Sequence, residues 1–236
     1  MGAKAIKIVL EPAFVLHAKP YRETSLLVDF FTLNHGLISA IARSARGMQS
    51  RFKGCLVPFS PLVISGIAKT ELVQITAAEA TNAAYFIQGQ NLFNCIYLNE
   101  LLIKLLHRYD PYPNLFDYYQ KALERLQNQN EEPQKILRFF EKQLLAELGY
   151  GLNLTQEVTG KAVLPNQFYR YHIEEGIVAC GNIHPENTTF RGSDLIAIEK
   201  NNFETSEILK AARRLMRLVL GGLLGNKHLK SRELFS

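Results

Sequence analysis

The sequence predicts an α+β chain, with a small antiparallel β-barrel over residues 1–81 and an α-helical domain over residues 82–236 that carries an irregular insertion at about 152–204. Short runs rich in Val, Ile, Leu, Phe and Thr, broken by turn residues, fill the first eighty positions. From about Ala77 the apolar spacing changes from two to the helical period of about 3.6. After Gly151 the period is lost for about fifty residues.

The expected strands are Ala5–Leu10, Ala13–Ala18, Ser25–Phe31, Leu37–Ala42, Leu62–Ser65 and Glu71–Thr76, separated by Glu-Pro, Lys-Pro-Tyr-Arg, Asn-His-Gly and Ile-Ala-Lys turns. In Asn34-His35-Gly36, Gly36 supplies the positive φ of a hairpin turn. Five or six such strands suggest a closed barrel of the OB-fold kind, which offers a sheet face and its loops to oligonucleotides. Asn91–Tyr109 carries Leu92, Cys95, Ile96, Leu98, Leu101, Leu102, Leu105 and Leu106 on one apolar stripe before Pro111 and Pro113 break it. Asn114–Gln127 and Glu132–Leu148 are the next helices, the latter with Pro133 in its first turn and Gly149 as C-cap. A small hairpin pairs Phe168–Ile173 with Gly176–Ala179, and Thr205–Leu224 is a last helix with a basic polar stripe.

The 236 residues, 47% hydrophobic and 21% charged, exclude disorder as a global description. No stretch reaches the ~20 apolar residues of a membrane span, and Lys4, Lys7 and Glu11 interrupt any signal-peptide core, so a cytoplasmic protein without membrane contact is expected. Cys55, Cys95 and Cys180 are odd in number and widely spaced, unlike a disulfide framework or a paired zinc motif.

The net charge of +5 is unevenly spread. Residues 1–81 hold nine Lys and Arg against five acids, residues 82–204 eleven against fifteen, and residues 205–236 seven against two. Arg43, Arg46, Arg51 and Lys53 fall within eleven residues without an acid, in a Gly- and Ser-containing segment that reads as a mobile loop. Such a loop can grip a phosphate backbone or be merely solvated. Lys19, Tyr21 and Arg22 share one turn, and Phe52 lies inside the basic segment, as base stacking beside phosphate contact would need. Phe30 and Phe31 point to opposite faces of a strand, so one is expected in the core and the other exposed.

Chemistry of the catalytic kind finds no support in the residues. There is no G-x-x-x-x-G-K-[ST] loop and no G-x-G-x-x-G after a strand, so no cofactor cradle or ATP use is expected. His17, His35, His107, His172, His184 and His228 form no metal-ligand pair and are expected at the surface or in turns. Glu174 and Glu175 sit on a hairpin tip, and Glu141 and Glu147 read as solvated helix charges.

The motifs Phe14-Val-Leu-His-Ala-Lys-Pro-Tyr-Arg-Glu-Thr-Ser-Leu26, Phe31-Thr, His35-Gly36-Leu37, Ala42-Arg-Ser-Ala-Arg46 with Ser50-Arg51, and Val57-Pro-Phe-Ser-Pro-Leu62 resemble the N-terminal domain of the RecO family of bacterial recombination mediators. Tyr97-Leu-Asn-Glu-Leu-Leu102, Leu115-Phe116-Asp117, Leu137-Arg-Phe-Phe-Glu141, Leu148-Gly-Tyr-Gly151 and Leu229-Lys-Ser-Arg-Glu-Leu234 are similar to that family's helical domain. The resemblance implies an N-terminal OB-fold, a C-terminal α-helical domain and a non-catalytic role in DNA repair and homologous recombination, in the bacterial cytoplasm at the nucleoid. It further implies binding of single- and double-stranded DNA, annealing of complementary strands without ATP, contact with the acidic tail of single-strand binding protein, work with RecR in loading RecA, and a functional link to RecF.

Carried over by motif, Lys19 and Arg22 of the turn, Arg43 and Arg46 of Ala-Arg-Ser-Ala-Arg, and Arg51 with Lys53 are the expected phosphate contacts. Arg213, Arg214, Arg217, Lys227, Lys230 and Arg232 form a second expected surface for DNA or for single-strand binding protein, although Arg232 could equally be a structural ion-pair residue. Some relatives carry a four-cysteine zinc site after the Gly-Tyr-Gly motif. Here Asn153-Leu-Thr-Gln-Glu157-Val-Thr-Gly has no cysteine, so no zinc is expected. The alternative to a strand-annealing mediator is an interaction scaffold in which DNA contact is incidental, motivated by the acidic middle of the chain.

Overall fold

The structure, a computed structural model, describes residues 6–68, 72–128, 130–181 and 188–235, without the side chains of Ile6, Arg232 and Phe235. Lys4, Ala5, Glu71 and His184, named above, lie outside the described residues. Strands β1 (Ile6–Tyr21), β2 (Ser25–Thr32), β3 (Gly36–Ala42), β4 (Pro61–Ala68) and β5 (Leu72–Ala80) close into a barrel in the order β1-β2-β3-β5-β4, the OB-like arrangement expected. Alternation sends Val15, Val28, Phe30, Ile38, Ala40, Leu62, Ile64, Val73 and Ile75 into its core.

The two first strands expected, Ala5–Leu10 and Ala13–Ala18, are one. Glu11-Pro12 reads as a turn, yet Pro12 stands opposite Val63 in the β1–β4 ladder. Irregularities between Ile8 and Glu11 and between Val15 and His17 bend the strand instead, so it pairs with β4 along its first half and β2 along its second. Lys19, Pro20 and Tyr21 belong to β1, leaving Arg22–Thr24 as the turn. Leu10 at the first bulge takes φ 49, and its N–H donates to Ser65 Oγ at 3.1 Å.

The Asn34-His35-Gly36 turn is held from beneath by Glu11. This buried carboxylate accepts from Asn34 N at 2.6 Å and Asn34 Nδ2 at 3.1 Å, and lies 3.3 Å from His35 Nδ1. Gly36 has φ 62, and a Cβ on it would stand 1.8 Å from the Asp110 carbonyl oxygen. Both its conformation and its neighbour exclude a side chain.

Helices α1 (Gln90–Leu105) and α2 (Pro113–Gln127) belong to the same unit as the barrel. Phe14 and Phe31, on the outer face of β1 and β2, meet Phe116 and Tyr119 at centroid distances of 5.1 to 6.1 Å. Asn99 Nδ2 donates to the Leu16 carbonyl at 2.8 Å while its Oδ1 accepts from Tyr119 Oη at 2.6 Å. Phe30 and Phe31 do face opposite sides, but both are fully buried, because α2 covers the outer one; the expectation that one is exposed is corrected. Helix α1 ends at Leu105 rather than Tyr109, since Arg108 turns back to bridge Leu37 and Tyr109 takes φ 61.

The chain closes the unit with a 3-10 helix, Lys230–Phe235. Glu100 on α1 accepts from the N–H groups of Lys230 and Ser231 at 2.9 and 2.8 Å and from Ser231 Oγ at 2.6 Å, while Lys104 lies 3.0 Å away. Burial works to raise the Glu100 carboxyl, but the hydrogen bonds from Ser231, Lys104 and Lys230 outweigh it and hold the group below its ordinary 4.5.

The second unit contains α3 (Pro133–Glu147), a three-stranded sheet in the order β7-β6-β8 (β6 Phe168–His172, β7 Gly176–Cys180, β8 Thr189–Arg191), α4 (Gly192–Glu199) and α5 (Ser206–Leu224). The β6–β7 hairpin expected is present, but β8 and α4 correct the reading of that stretch as irregular; both are too short for a clear period. Glu141 is also corrected, for it is fully buried and paired with Arg138 one turn back at 3.0 Å. Lys142 donates to the carbonyls of Ile198 and Glu199 at the end of α4, a cation against the negative end of a helix.

Gly36→Ala is expected to destabilise the protein by more than about 2 kcal/mol. Gly54→Ala, also at positive φ but with open space around its Cβ, should lose only about 1 kcal/mol, both read from denaturant midpoints. Because Glu100 is depressed in the folded state, its contribution is present above its ordinary value and is lost as pH falls through the folded one. Glu100→Gln should therefore lower stability near neutrality by about 1 kcal/mol, flatten the acid limb of the stability profile, and speed hydrogen exchange at the amides of Lys230 and Ser231.

Candidate nucleic-acid interface

One end of the barrel is built from the β1–β2 turn and the long β3–β4 connection, residues 43–60. The two are joined where Arg46 N donates to the Thr24 carbonyl at 2.8 Å and Arg46 Nη1 reaches the Arg22 carbonyl at 3.5 Å. Arg22, in the left-handed region at φ 51, carries its guanidinium 5.3 Å from the Tyr21 ring centroid. The connection is a chain of tight turns, in which Gly47 N bonds Ser44 O, Ser50 N bonds Gly47 O, Lys53 N bonds Ser50 O and Cys55 N bonds Phe52 O at 3.1 to 3.2 Å. Phe52 and Leu56 anchor it in the barrel core.

Of the expected phosphate contacts, the structure gathers Arg22, Arg43, Arg46, Arg51 and Lys53 on these two loops with exposed side chains. Lys19 is exposed on β1 just before the turn, opposite Leu27. Arg51 lies 5.0 Å from the Phe52 centroid. Among the described residues none of the six is ion-paired to a carboxylate, so their fields add toward solvent. Phe52, expected as a stacking surface, is buried instead, because the turn after Arg51 points the ring inward to plug the barrel end.

The outer sheet face beside this end is aliphatic. Register places Lys19, Leu27, Ile41, Gln74 and Ile67 side by side on successive strands. Ile41, Ile67, Leu72 and Gln74, with Arg43, line a cleft of about 420 Å³. The spacing of single strands did not reveal this cleft, since it depends on the parallel β3–β5 pairing of residues far apart in sequence. On the same face Arg108 Nη1 donates to Ser39 Oγ at 2.5 Å and lies 3.6 Å by Nη2 from Asp29, which accepts from Ser39 and stands 3.9 Å from His17. In this cluster the Arg108 guanidinium stands against the Asp29 carboxylate and offsets its charge.

The second expected surface is divided between the units. Arg213, Arg214, Arg217 and Lys227 belong to the unit of α5, Lys230 and Arg232 to that of the barrel. Arg214 serves packing, with Nη2 donating to the Thr189 carbonyl at 3.3 Å and its guanidinium 5.0 Å from the Phe190 centroid. Arg213, Arg217, Lys227 and Lys230 are exposed, and the Arg232 side chain lies outside the described residues. Among the described residues no group of three His, Cys, Asp or Glu is placed to hold a metal ion. The three cysteines are free thiols, and burial pushes Cys95 up to about 12. No described helix is long and apolar enough to cross a membrane.

Family models described as Recombination protein O N terminal and Recombination protein O C terminal match residues 6–84 and 88–233. A protein of Coxiella burnetii, strain RSA 493 / Nine Mile phase I, named DNA repair protein RecO, is 47% identical over 229 residues, covering 97% of this chain and 98% of that protein. Proteins of the same name from Actinobacillus pleuropneumoniae serotype 5b, strain L20, and Methylococcus capsulatus, strain Bath, are each 41% identical, over 223 and 230 residues. They cover 94% and 97% of this chain and 92% and 93% of their own lengths.

Proposed function

The chain belongs to the RecO family of DNA repair and recombination proteins, and from that premise we propose that it binds single- and double-stranded DNA and anneals complementary strands without ATP. The observation that carries the reading is the group of exposed cations on the two joined loops, Arg22, Arg43, Arg46, Arg51 and Lys53, with Lys19 beside them, none ion-paired to a carboxylate among the described residues. Two single strands repel through their phosphates. A surface that neutralises both lowers that repulsion and raises their local concentration, and base pairing then drives the product. No bond to the substrate is made or broken by the protein, so the role is that of a mediator and not of an enzyme.

Membership of the family supports a set of partners for this reading. RecR and this chain together help load RecA on DNA coated by single-strand binding protein, whose acidic tail meets a basic surface, with RecF acting in the same route in the bacterial cytoplasm at the nucleoid. On the unit of α5, the exposed Arg213, Arg217 and Lys227 are proposed contacts for that tail or for DNA, and on the unit of the barrel so are Lys230 and, by sequence, Arg232. Arg214 is better assigned to holding β8.

The test is annealing of two complementary fluorescent oligonucleotides, without nucleotide or metal, by the wild type and by a variant with Arg43, Arg46 and Arg51 changed to Glu. Annealing should fall at least tenfold, and the slope of log affinity for single strands against log salt should become shallower by about 2, three contacts at about 0.7 each. Annealing and slope equal to wild type would favour the scaffold reading.

A further inference from the structure

We propose that the cavity inside the β3–β4 connection receives one nucleobase of a bound single strand, with the Met48 side chain against its face. The inference rests on the reading of these loops as the DNA surface and adds to it a contact that is not electrostatic. Met48 is 94% exposed, the most exposed of the large apolar side chains described. One exposed apolar residue on a surface means little by itself. Met48 differs in where it stands. Bonds from Gly47 N to Ser44 O and from Ser50 N to Gly47 O fix the backbone on both sides of it, and Arg46, Arg51 and Lys53 surround it in sequence.

Next to it opens a cavity of about 430 Å³, within the range of small-ligand sites. Its buried side is Phe52 and Leu56, its open side Met48 and Val57, and its cations Arg46 and Lys53. An apolar floor with cations at the rim suits a planar, apolar-faced group attached to an anion. A nucleotide has that construction, with the base on the floor and the phosphate at Arg46 and Lys53. Phe30, Phe31 and Phe52 are buried, and the half-buried Tyr21 ring is met by the Arg22 guanidinium, so the exposed apolar side chain at the cavity is Met48. A thioether makes favourable contact with aromatic faces, and apolar side chains of this kind open base steps in other DNA-binding surfaces. A base held this way is taken out of its own strand's stack.

The probe is an oligodeoxyadenylate containing one 2-aminopurine, whose fluorescence rises when the base leaves the stack. Wild-type protein should produce the rise on saturation. Met48→Ala, at an exposed position that the fold does not need, should lose most of the rise and bind about two- to tenfold more weakly, with an unchanged salt slope. Met48→Lys should also lose the rise while steepening the salt slope by about 0.7, which separates base contact from phosphate contact. A full rise and unchanged affinity in Met48→Ala would overturn the inference. The variant with Glu at 43, 46 and 51 distinguishes the two failures. If it binds the probe like wild type, the DNA reading of these loops is wrong, and if it loses binding while Met48→Ala behaves as wild type, only the base cavity is wrong.

Discussion

Closure of the barrel by β1 is the constraint on which the other features depend. A strand of 16 residues with two bulges can bend far enough to pair with β4 along its first half and β2 along its second, which joins the two ends of the sheet. The path of β1 sets the positions of two surfaces. Its middle sends Phe14 outward against Phe116 and Tyr119, so α1 and α2 can only lie over that part of the barrel. Its end delivers Arg22 to the turn where the Arg46 N–H meets Thr24. The sheet face under the helices is unavailable to ligand, and the loop end of the barrel is left open.

The division of labour between residue types follows from this. Aromatic area is spent on packing: Phe30 and Phe52 fill the barrel, and Phe14 and Phe31 fasten α2 to it. What remains at the open end is arginine, lysine, one half-buried tyrosine and aliphatic side chains. Such a surface attracts a polyanion by charge, with little means of reading base edges, which suits pairing of strands of any sequence. The β3–β4 connection is pinned by Phe52, Leu56 and its own turns, so under the proposed function its cations would be in place before a strand binds, and less conformational entropy would be lost.

Much of this was legible in the sequence where one physical signal acted alone. The change of apolar period near Ala77 separated strands from helices, and the run without acids from Arg43 to Lys53 marked the exposed cationic loop. Reading failed where two signals competed. Glu11-Pro12 has the composition of a turn, but a bulge and the Asn34 partners of Glu11 keep it in a strand. Phe31 is buried by α2, an element distant in sequence, and Glu141 lies on α3, which packs against the equally distant α5. Periodicity within an element carries no information about such contacts. Neither does it reveal Met48 beside its cavity, or the cleft between Ile41 and Leu72, both of which exist only once the chain has folded.

The central claim is that single-stranded DNA lies on the loop end of the barrel. Hydrogen exchange of the full chain, with and without a saturating oligothymidylate at low salt, tests it without any substitution. Binding should protect the amides of residues 22–24 and 43–57 and leave those of the buried strands β2 and β4 unchanged. Protection confined to α5 and the residues after it, with residues 43–57 exchanging as in the free protein, would contradict the claim.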